Sequence, residues 1–356
     1  MTTKTAAHPL KHRSQTDALA YRMSPARRRL VVVGLGSIGR RHVRLLAARP
    51  DLDVAGCELA ADVMAKARVE LGQIVMYPDF ESVLASRPDI VVIATPHDLH
   101  AQQAIAAMRA GADVLCEKPL CLEGTEAGQM IACARETGRQ LGVGFQLHFH
   151  PGILRVRALI EQGIIGEVAH VHVRVGSFIT LRNSVSRYQQ SQKGALLLDY
   201  SHQPDLILWL LGQLPTGVTL SGVEAGGLPL SSSPNVMSLV LEFGRSLLAT
   251  IHLNYVQMPQ RHEWEIVGTK GWIILDADRG TLRIGRRETE SEVGETISVD
   301  RDDTYRAEHQ AFIDGVDGKC GMESSAEAAA RSVEIFAMAM RSWQEHRRIA
   351  CTWRDY

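Results

Sequence analysis

Residues Arg29 to Glu58 read RLVVVGLGSIGRRHVRLLAARPDLDVAGCE, and the order of their parts decides the fold. A β-branched run enters Gly34-Leu35-Gly36-Ser37-Ile38-Gly39, and a helical pattern through Val43, Leu45 and Leu46 leaves it. In such a turn the first glycine permits the tight bend, the second lets backbone approach a pyrophosphate, and the third lets helix pack on strand. The helix N-terminus then offers N–H donors and a positive dipole end to the phosphates. Gly34, Gly36, Ser37, Ile38 and Gly39 are accordingly assigned to a dinucleotide. The glycine spacing alone is common; the strand before it and the helix after it give it weight. A second strand, Leu52 to Cys57, ends at Glu58, about 20 residues past the loop, where such folds place the acid that bonds the adenosine ribose. A carboxylate there repels a 2′-phosphate, so NAD is expected over NADP.

Working outward, strands at Ile74 to Tyr77 and Asp89 to Ala94 alternate with helical stretches, the rhythm of a parallel sheet. The fourth strand runs into Thr95-Pro96-His97-Asp98-Leu99-His100, on the same carboxyl edge as the glycine loop, which makes Thr95, Pro96, His97 and His100 cofactor candidates. A helix, Ala101 to Ala110, leads to the apolar run Asp113-Val114-Leu115 and then to Cys116-Glu117-Lys118-Pro119-Leu120. The proline fixes the backbone after Lys118 and pushes the lysine itself toward an extended conformation. Its ammonium is therefore aimed at the edge of the sheet where open α/β folds bind ligands. A further helix and the strand Leu141 to Phe145 close this half.

The 356 residues suggest two domains, and 39 basic against 40 acidic side chains leave no basic footprint for nucleic acid. Six cysteines show no metal-ligand spacing, and no metal is expected. Their apolar settings fit a reducing cytoplasm. No apolar run reaches the length of about 18 residues that spans a bilayer. Arg27-Arg28-Arg29 before LVVVGLG has the outline of a twin-arginine export signal, but the run is short, holds the nucleotide-loop glycines and lacks a cleavage site. Residues 1–27 are expected to form a disordered arm, 28–148 the dinucleotide-binding domain and 149–356 a substrate-binding and oligomerisation domain.

In the second half a helix from Pro151 to about Gln162 precedes EVAHVHVRVGSF, a strand whose Val168 falls out of parity with Val171, Val173 and Val175 and so implies a bulge or two-sided burial. Strands at Ser238 to Phe243, Ser246 to Leu253, Glu263 to Val267, Gly271 to Leu275 and Thr281 to Ile284, separated by turn signals, read as an antiparallel meander. The chemical centre is GALLLDYSHQPDLILWLLG, Gly194 to Gly212. Ser201 is expected to cap a helix there. Spacing of three brings Asp199 toward His202 and His202 toward Asp205, where a carboxylate can orient an imidazole for acid/base work. Ahead of it, TLRNSVSRYQQSQKG offers Arg182, Arg187, Tyr188 and Lys193 either as a grip for a carboxylate or phosphate or as a solvated loop. The tail forms a long amphipathic helix with Met338 and Met340 in packing and Trp343 and Trp353 as anchors.

The ordered set GLGSIGRRH, ATPHDLH, RAGADVLCEKPL and GFQLHFHPGI resembles the Gfo/Idh/MocA oxidoreductases. The resemblance runs from about Arg29 to the C-terminus and implies an N-terminal Rossmann domain joined to a C-terminal α/β domain with a large, mostly antiparallel sheet. It also implies a homodimer or homotetramer, Glu117 and Lys118 at the cofactor, and an Asp and a His opposite the lysine. Those two are Asp199 and His202 here. Relatives often carry asparagine where His97 stands, arginine where His148 stands, and four residues from Asp to His rather than three. The shorter form is similar to a branch that works on sugars and nucleotide sugars. The expected protein is a cytoplasmic NAD-dependent oxidoreductase acting on a secondary alcohol of a sugar, inositol, sugar acid or nucleotide sugar. Lys118, His202 and Asp199 are its catalytic candidates, and Arg182 and Tyr188 join them at the substrate. An NAD-dependent glycosidase of the same architecture and a non-catalytic dinucleotide sensor are the alternatives.

Overall fold

A computed structural model describes residues 27–183, 188–228 and 231–356. Apart from Arg27, the expected N-terminal arm lies outside the described residues. Six strands, β1 (Arg28–Val33), β2 (Leu52–Cys57), β3 (Val75–Tyr77), β4 (Ile90–Ile93), β5 (Asp113–Glu117) and β6 (Leu141–Gly144), form a sheet in the order β3-β2-β1-β4-β5-β6. Every pairing in it is parallel. Five helices cross between them: α1 (Ser37–Leu46), α2 (Ala61–Leu71), α3 (Phe80–Ala85), α4 (His100–Arg109) and α5 (Gly124–Thr137). Helices on both faces bury the strands twice over, which explains unbroken apolar runs such as Val31–Val33 and Ile90–Ile93. The strand order reverses at β1 and β4, so the loops after these two strands open on one crevice. Arg28 belongs to β1, and its guanidinium donates to Asp317 at 2.7 Å.

The second half contains α6 (Pro151–Glu161), β7 (Val168–Gly176), α7 (Phe178–Asn183), α8 (Ala195–Asp199), α9 (His202–Leu211), β8 (Gly217–Val223), β9 (Val236–Phe243) and β10 (Leu247–Asn254). It continues through β11 (Arg261–Gly268), β12 (Gly271–Asp276), β13 (Thr281–Arg286), β14 (Ser291–Thr296), α10 (Arg301–Val316), α11 (Ala326–Glu345) and β15 (Ile349–Ala350). Its nine strands lie in the order β14-β13-β12-β11-β7-β10-β9-β8-β15. The expected meander is thus interrupted: β7 inserts between β10 and β11, parallel to the first and antiparallel to the second. In that place β7 alternates into the core through the buried Val171, Val173 and Val175. The parity break resolves as a bulge, since Val267 pairs with His170 but Gly268 pairs with Val168.

Two helices tie the halves together. In α11, Ala326, Ala329, Ala330 and Val333 pack into the core behind the parallel sheet, while Ile335, Ala339 and Met340 pack against the large sheet. In α10, Phe312 and Ile313 join Leu30, Val32 and Val43. The tryptophans anchor the tail, with Trp343 donating to the Gly222 carbonyl at 3.1 Å and Trp353 to that of Pro215 at 3.2 Å. None of the six cysteines is paired, and burial pushes the Cys57 and Cys121 thiols up to about 12. No helix among the described residues is long and apolar enough to cross a membrane.

Candidate active site

The three loop glycines serve different ends. A Cβ on Gly34, whose φ is +88°, would meet the Ala94 carbonyl oxygen at 2.6 Å, and one on Gly39 would meet that of Gly34 at 1.7 Å. Around Gly36 nothing lies within 4 Å of a Cβ, so this glycine faces the crevice. Gly36 is also the N-cap of α1 and gives it no side-chain cap, which leaves the first N–H groups, including those of Ser37 and Ile38, for an anion. Glu58 stands at the lip, accepting from Leu35 N and Ala60 N, each at 2.9 Å. A bare backbone cradle beside a fixed carboxylate fits the diphosphate and ribose of a dinucleotide.

Beyond β4, Thr95 hydrogen-bonds Gln103 at 2.6 Å, and Pro96 leads into a single turn carrying His97. Both ring nitrogens of His97 are buried without a partner among the described residues, and burial pushes its imidazole down to about 3. His100, expected at the cofactor, is instead fully buried, with its two nitrogens 2.9 Å from the carbonyls of Thr95 and Pro119. An imidazole shut in from water takes the nearest carbonyls, and here it staples the β4 loop to the lysine turn.

Glu117 departs from expectation in the same way. Its carboxylate turns inward to His42 Nε2 at 2.8 Å and accepts from the Lys118 N–H at 3.1 Å. The lysine goes the other way: Lys118 Nζ donates to the Asp199 carbonyl oxygen at 2.7 Å, bridging the two halves. Burial lowers the Lys118 ammonium, with Asp199 and Glu117 opposing the shift.

At the α8–α9 corner the expected pairing of His202 with a carboxylate does not form. Asp199 is the acceptor for the hydroxyls of Tyr188 and Tyr255 and for Gln189 Nε2 at 3.2 Å. Asp205 pairs with His148 Nε2 at 2.6 Å. His202 Nδ1 has no partner among the described residues, and its ring packs edge-on against Phe145, centroids 5.4 Å apart. Burial holds the imidazole well below its ordinary range, and Lys118 pushes it further down. Ser201 does not cap either. Its backbone is helical, and its hydroxyl has no partner among the described residues. Tyr188 joins the site, its ring edge-on to His97 at 4.8 Å. Arg182 and Lys193 are exposed, and Arg187 lies outside the described residues.

Residues 28–145 match the family described as oxidoreductases with an NAD-binding Rossmann fold, and residues 157–351 match that family's C-terminal alpha/beta domain. The chain belongs to the Gfo/Idh/MocA oxidoreductases. It is 28% identical to the 2,7-anhydro-N-acetylneuraminate hydratase of Escherichia coli over 80% of this chain and 77% of that one. To an inositol 2-dehydrogenase of Saccharopolyspora erythraea it is 29% identical, over 79% and 83%. The fold is shared with scyllo-inositol dehydrogenase from Lactobacillus casei, solved with NAD(H) and scyllo-inositol, at a TM-score of 0.78 and 20% identity over 91% and 99% of the two chains.

Several residues of this Gfo/Idh/MocA site had no signal in the local sequence. Tyr255 follows β10, and His148 sits 57 residues from Asp205. Only a pairing argument could have found them: a buried carboxylate needs donors, and Asp199 and Asp205 both lie in an apolar helix text.

Proposed function

We propose that this oxidoreductase transfers a hydride between NAD and a secondary alcohol of a sugar-like substrate, with Lys118 and His202 handling the proton. The observation that carries the reading is the bridge from Lys118 Nζ to the Asp199 carbonyl, beside a neutral His202 and above the nucleotide crevice. NAD, when bound, supplies the hydride acceptor. The glycine loop holds its diphosphate, Glu58 its ribose, and Thr95, Pro96 and His97 border the nicotinamide end. Lys118 steadies negative charge on the substrate oxygen as the hydroxyl proton leaves. His202, uncharged because it is buried beside a cation, is ready to accept that proton. Asp199 acts through Tyr188, Tyr255 and the lysine contact rather than through the imidazole. Similarity to inositol dehydrogenases supports a polyol or sugar ring as substrate, and the near-neutral surface supports a small molecule over nucleic acid. A cytoplasmic homodimer or homotetramer completes the reading.

Lys118→Ala and His202→Ala should each lower turnover about 10²-fold or more while NAD binding, followed by fluorescence titration, stays within about twofold. Near-wild-type turnover in both variants sinks the proposal. Because His202 must be neutral to act, the acidic limb of the oxidation rate should lie below the ordinary histidine range near pH 6.5.

A second reading is favoured by the similarity to a hydratase, whose name denotes addition of water: a hydride that left and returned within one turnover would give no net redox change here either. Product formation without accumulating NADH would select it.

A further inference from the structure

We infer that His42, backed by His309, is a positioning residue that fixes Glu117 and, through it, the reach of Lys118 across the active site. The inference rests on the role of Lys118 proposed above. His42 comes from α1, one turn past the glycine loop, and is completely buried. Its Nε2 meets Glu117 Oε1 at 2.8 Å and its Nδ1 meets His309 Nε2, on α10, at 2.7 Å. A line of hydrogen bonds therefore runs from the helix that joins the two halves to the residue preceding the lysine. Burial alone would push the Glu117 carboxyl up, but the His42 bond and the His42 and Lys118 charges hold it below its ordinary range, so it stays ionised. Glu308, next on α10, has both carboxylate oxygens buried and unpartnered among the described residues, and burial beside Glu117 keeps it protonated. One buried carboxylate of the two is charged, and His42 selects which.

His42, Glu308 and His309 also form a donor set that could hold a metal ion, with their ligand atoms within 4.8 Å of one another. The spacing decides against it. Two nitrogens on one tetrahedral ion stand about 3.3 Å apart at ordinary zinc–nitrogen lengths. The observed 2.7 Å is a hydrogen bond with a proton in it.

The groups that face Lys118 are Glu117 on its own turn, Asp199 and His202 at the α8–α9 corner, His97 after β4, and Arg301 on α10. Around the histidine pair stand Tyr305 and Glu308 on α10, Arg41 over the Tyr305 ring, and Arg49 beside His309, while His100 faces Glu117. Without His42, Glu117 takes up a proton more easily, and Lys118 loses a carboxylate that favours its ammonium. The lysine should then deprotonate at lower pH.

The test labels intact protein with acetic anhydride across pH, reads acetylation of Lys118 by peptide mass spectrometry, and records pH–rate profiles alongside. In His42→Leu the labelling midpoint should fall by about one pH unit. The alkaline limb of kcat should move with it, and kcat at neutral pH should drop about tenfold, with KM for NAD held within twofold. His42→Gln, whose amide nitrogen can stand in for Nε2, should restore most of both. If His42→Leu does not fold, His309→Leu carries the same test with a smaller shift. A folded variant with unchanged midpoint, a loss of Tm with the midpoint unmoved, or a stoichiometric transition metal in the purified protein overturns the inference. Labelling needs no turnover, so full activity in Lys118→Ala would remove the catalytic reading alone.

Discussion

The carboxyl edge of the parallel sheet and the α8–α9 corner face each other across the site, yet they hold their polar groups by different means. On the sheet edge Glu58 and His100 have backbone partners, while Glu117 takes the His42 side chain and Thr95 that of Gln103. Glu58 is fixed by the N–H groups of Leu35 and Ala60, and His100 lies between the carbonyls of Thr95 and Pro119. At the corner the partners are side chains from distant segments, with Tyr255 and Tyr188 on Asp199 and His148 on Asp205. A backbone partner persists when its own residue is replaced by anything but proline, whereas a side-chain partner is lost with one substitution. The surroundings of Glu58 and His100 should therefore tolerate change better than those of Asp199 and Asp205.

The largest effect is expected at Asp205. It and His148 are buried at 2.6 Å, and removing the carboxylate strands an imidazole that also packs on Trp209 with centroids 4.5 Å apart. Asp205→Ala should cost about 3–5 kcal/mol in urea unfolding. Asp199→Ala, which strips two buried phenols and a glutamine amide of their acceptor, should cost about 1–3 kcal/mol. It should leave the acidic limb of the rate profile where it is, since His202 is not its partner. An acidic limb that moves in Asp199→Ala would restore the carboxylate–imidazole pair that the spacing of three suggests.

The same contrast explains what could be read from the chain. The glycine loop, Glu58 and the aim of Lys118 follow from backbone geometry within a few residues of each strand end, so the text Arg29 to Glu58 and the turn at Cys116 to Leu120 carry them. The fate of Asp199 and Asp205 does not follow from neighbours three residues away. Their donors arrive by tertiary folding: β10 delivers Tyr255, and the turn after β6 delivers His148. The insertion of β7 escaped for the same reason, because a meander and an inserted strand leave identical alternation in each strand. Glu117 and His100 were given to the cofactor because they stand in the right phrases. Each turned inward once burial left it only protein partners.

Where the two regions meet, their imidazoles make stability depend on pH. Burial pushes His97, packed on Tyr188, down to about 3, and His262, near Trp264, down to about 4. The unfolded chain protonates both near pH 6.5, so below that pH it binds more protons than the folded protein does. Stability is thus fully present above about pH 6.5 and falls as the pH drops toward 4. Between pH 7 and pH 5 these two imidazoles should account for about 2–4 kcal/mol of lost unfolding free energy, to which the buried His100, His202 and His309 add, and His97→Asn should remove about half of the pair's share. Equal stability at the two pH values would mean that the imidazoles are open to water and that the corner packs more loosely than drawn.

The smallest effect belongs to Glu58, and it tests the sheet edge on its own terms. In Glu58→Gln the backbone donors of Leu35 and Ala60 remain, one now facing the amide oxygen and the other an NH₂ group with nothing to accept. The loop should keep its shape because Gly34 and Gly39 are locked by backbone contacts that the side chain does not touch. What changes is charge: the adenosine ribose loses a charge-assisted acceptor, and a 2′-phosphate loses its repulsion. KM for NAD should rise about tenfold, near 1.4 kcal/mol, with kcat within about twofold. The preference for NAD over NADP should narrow by a similar factor. A fall in kcat as large as that of Lys118→Ala would show that backbone partners do not by themselves confer tolerance, and the comparison would fail at its more secure end.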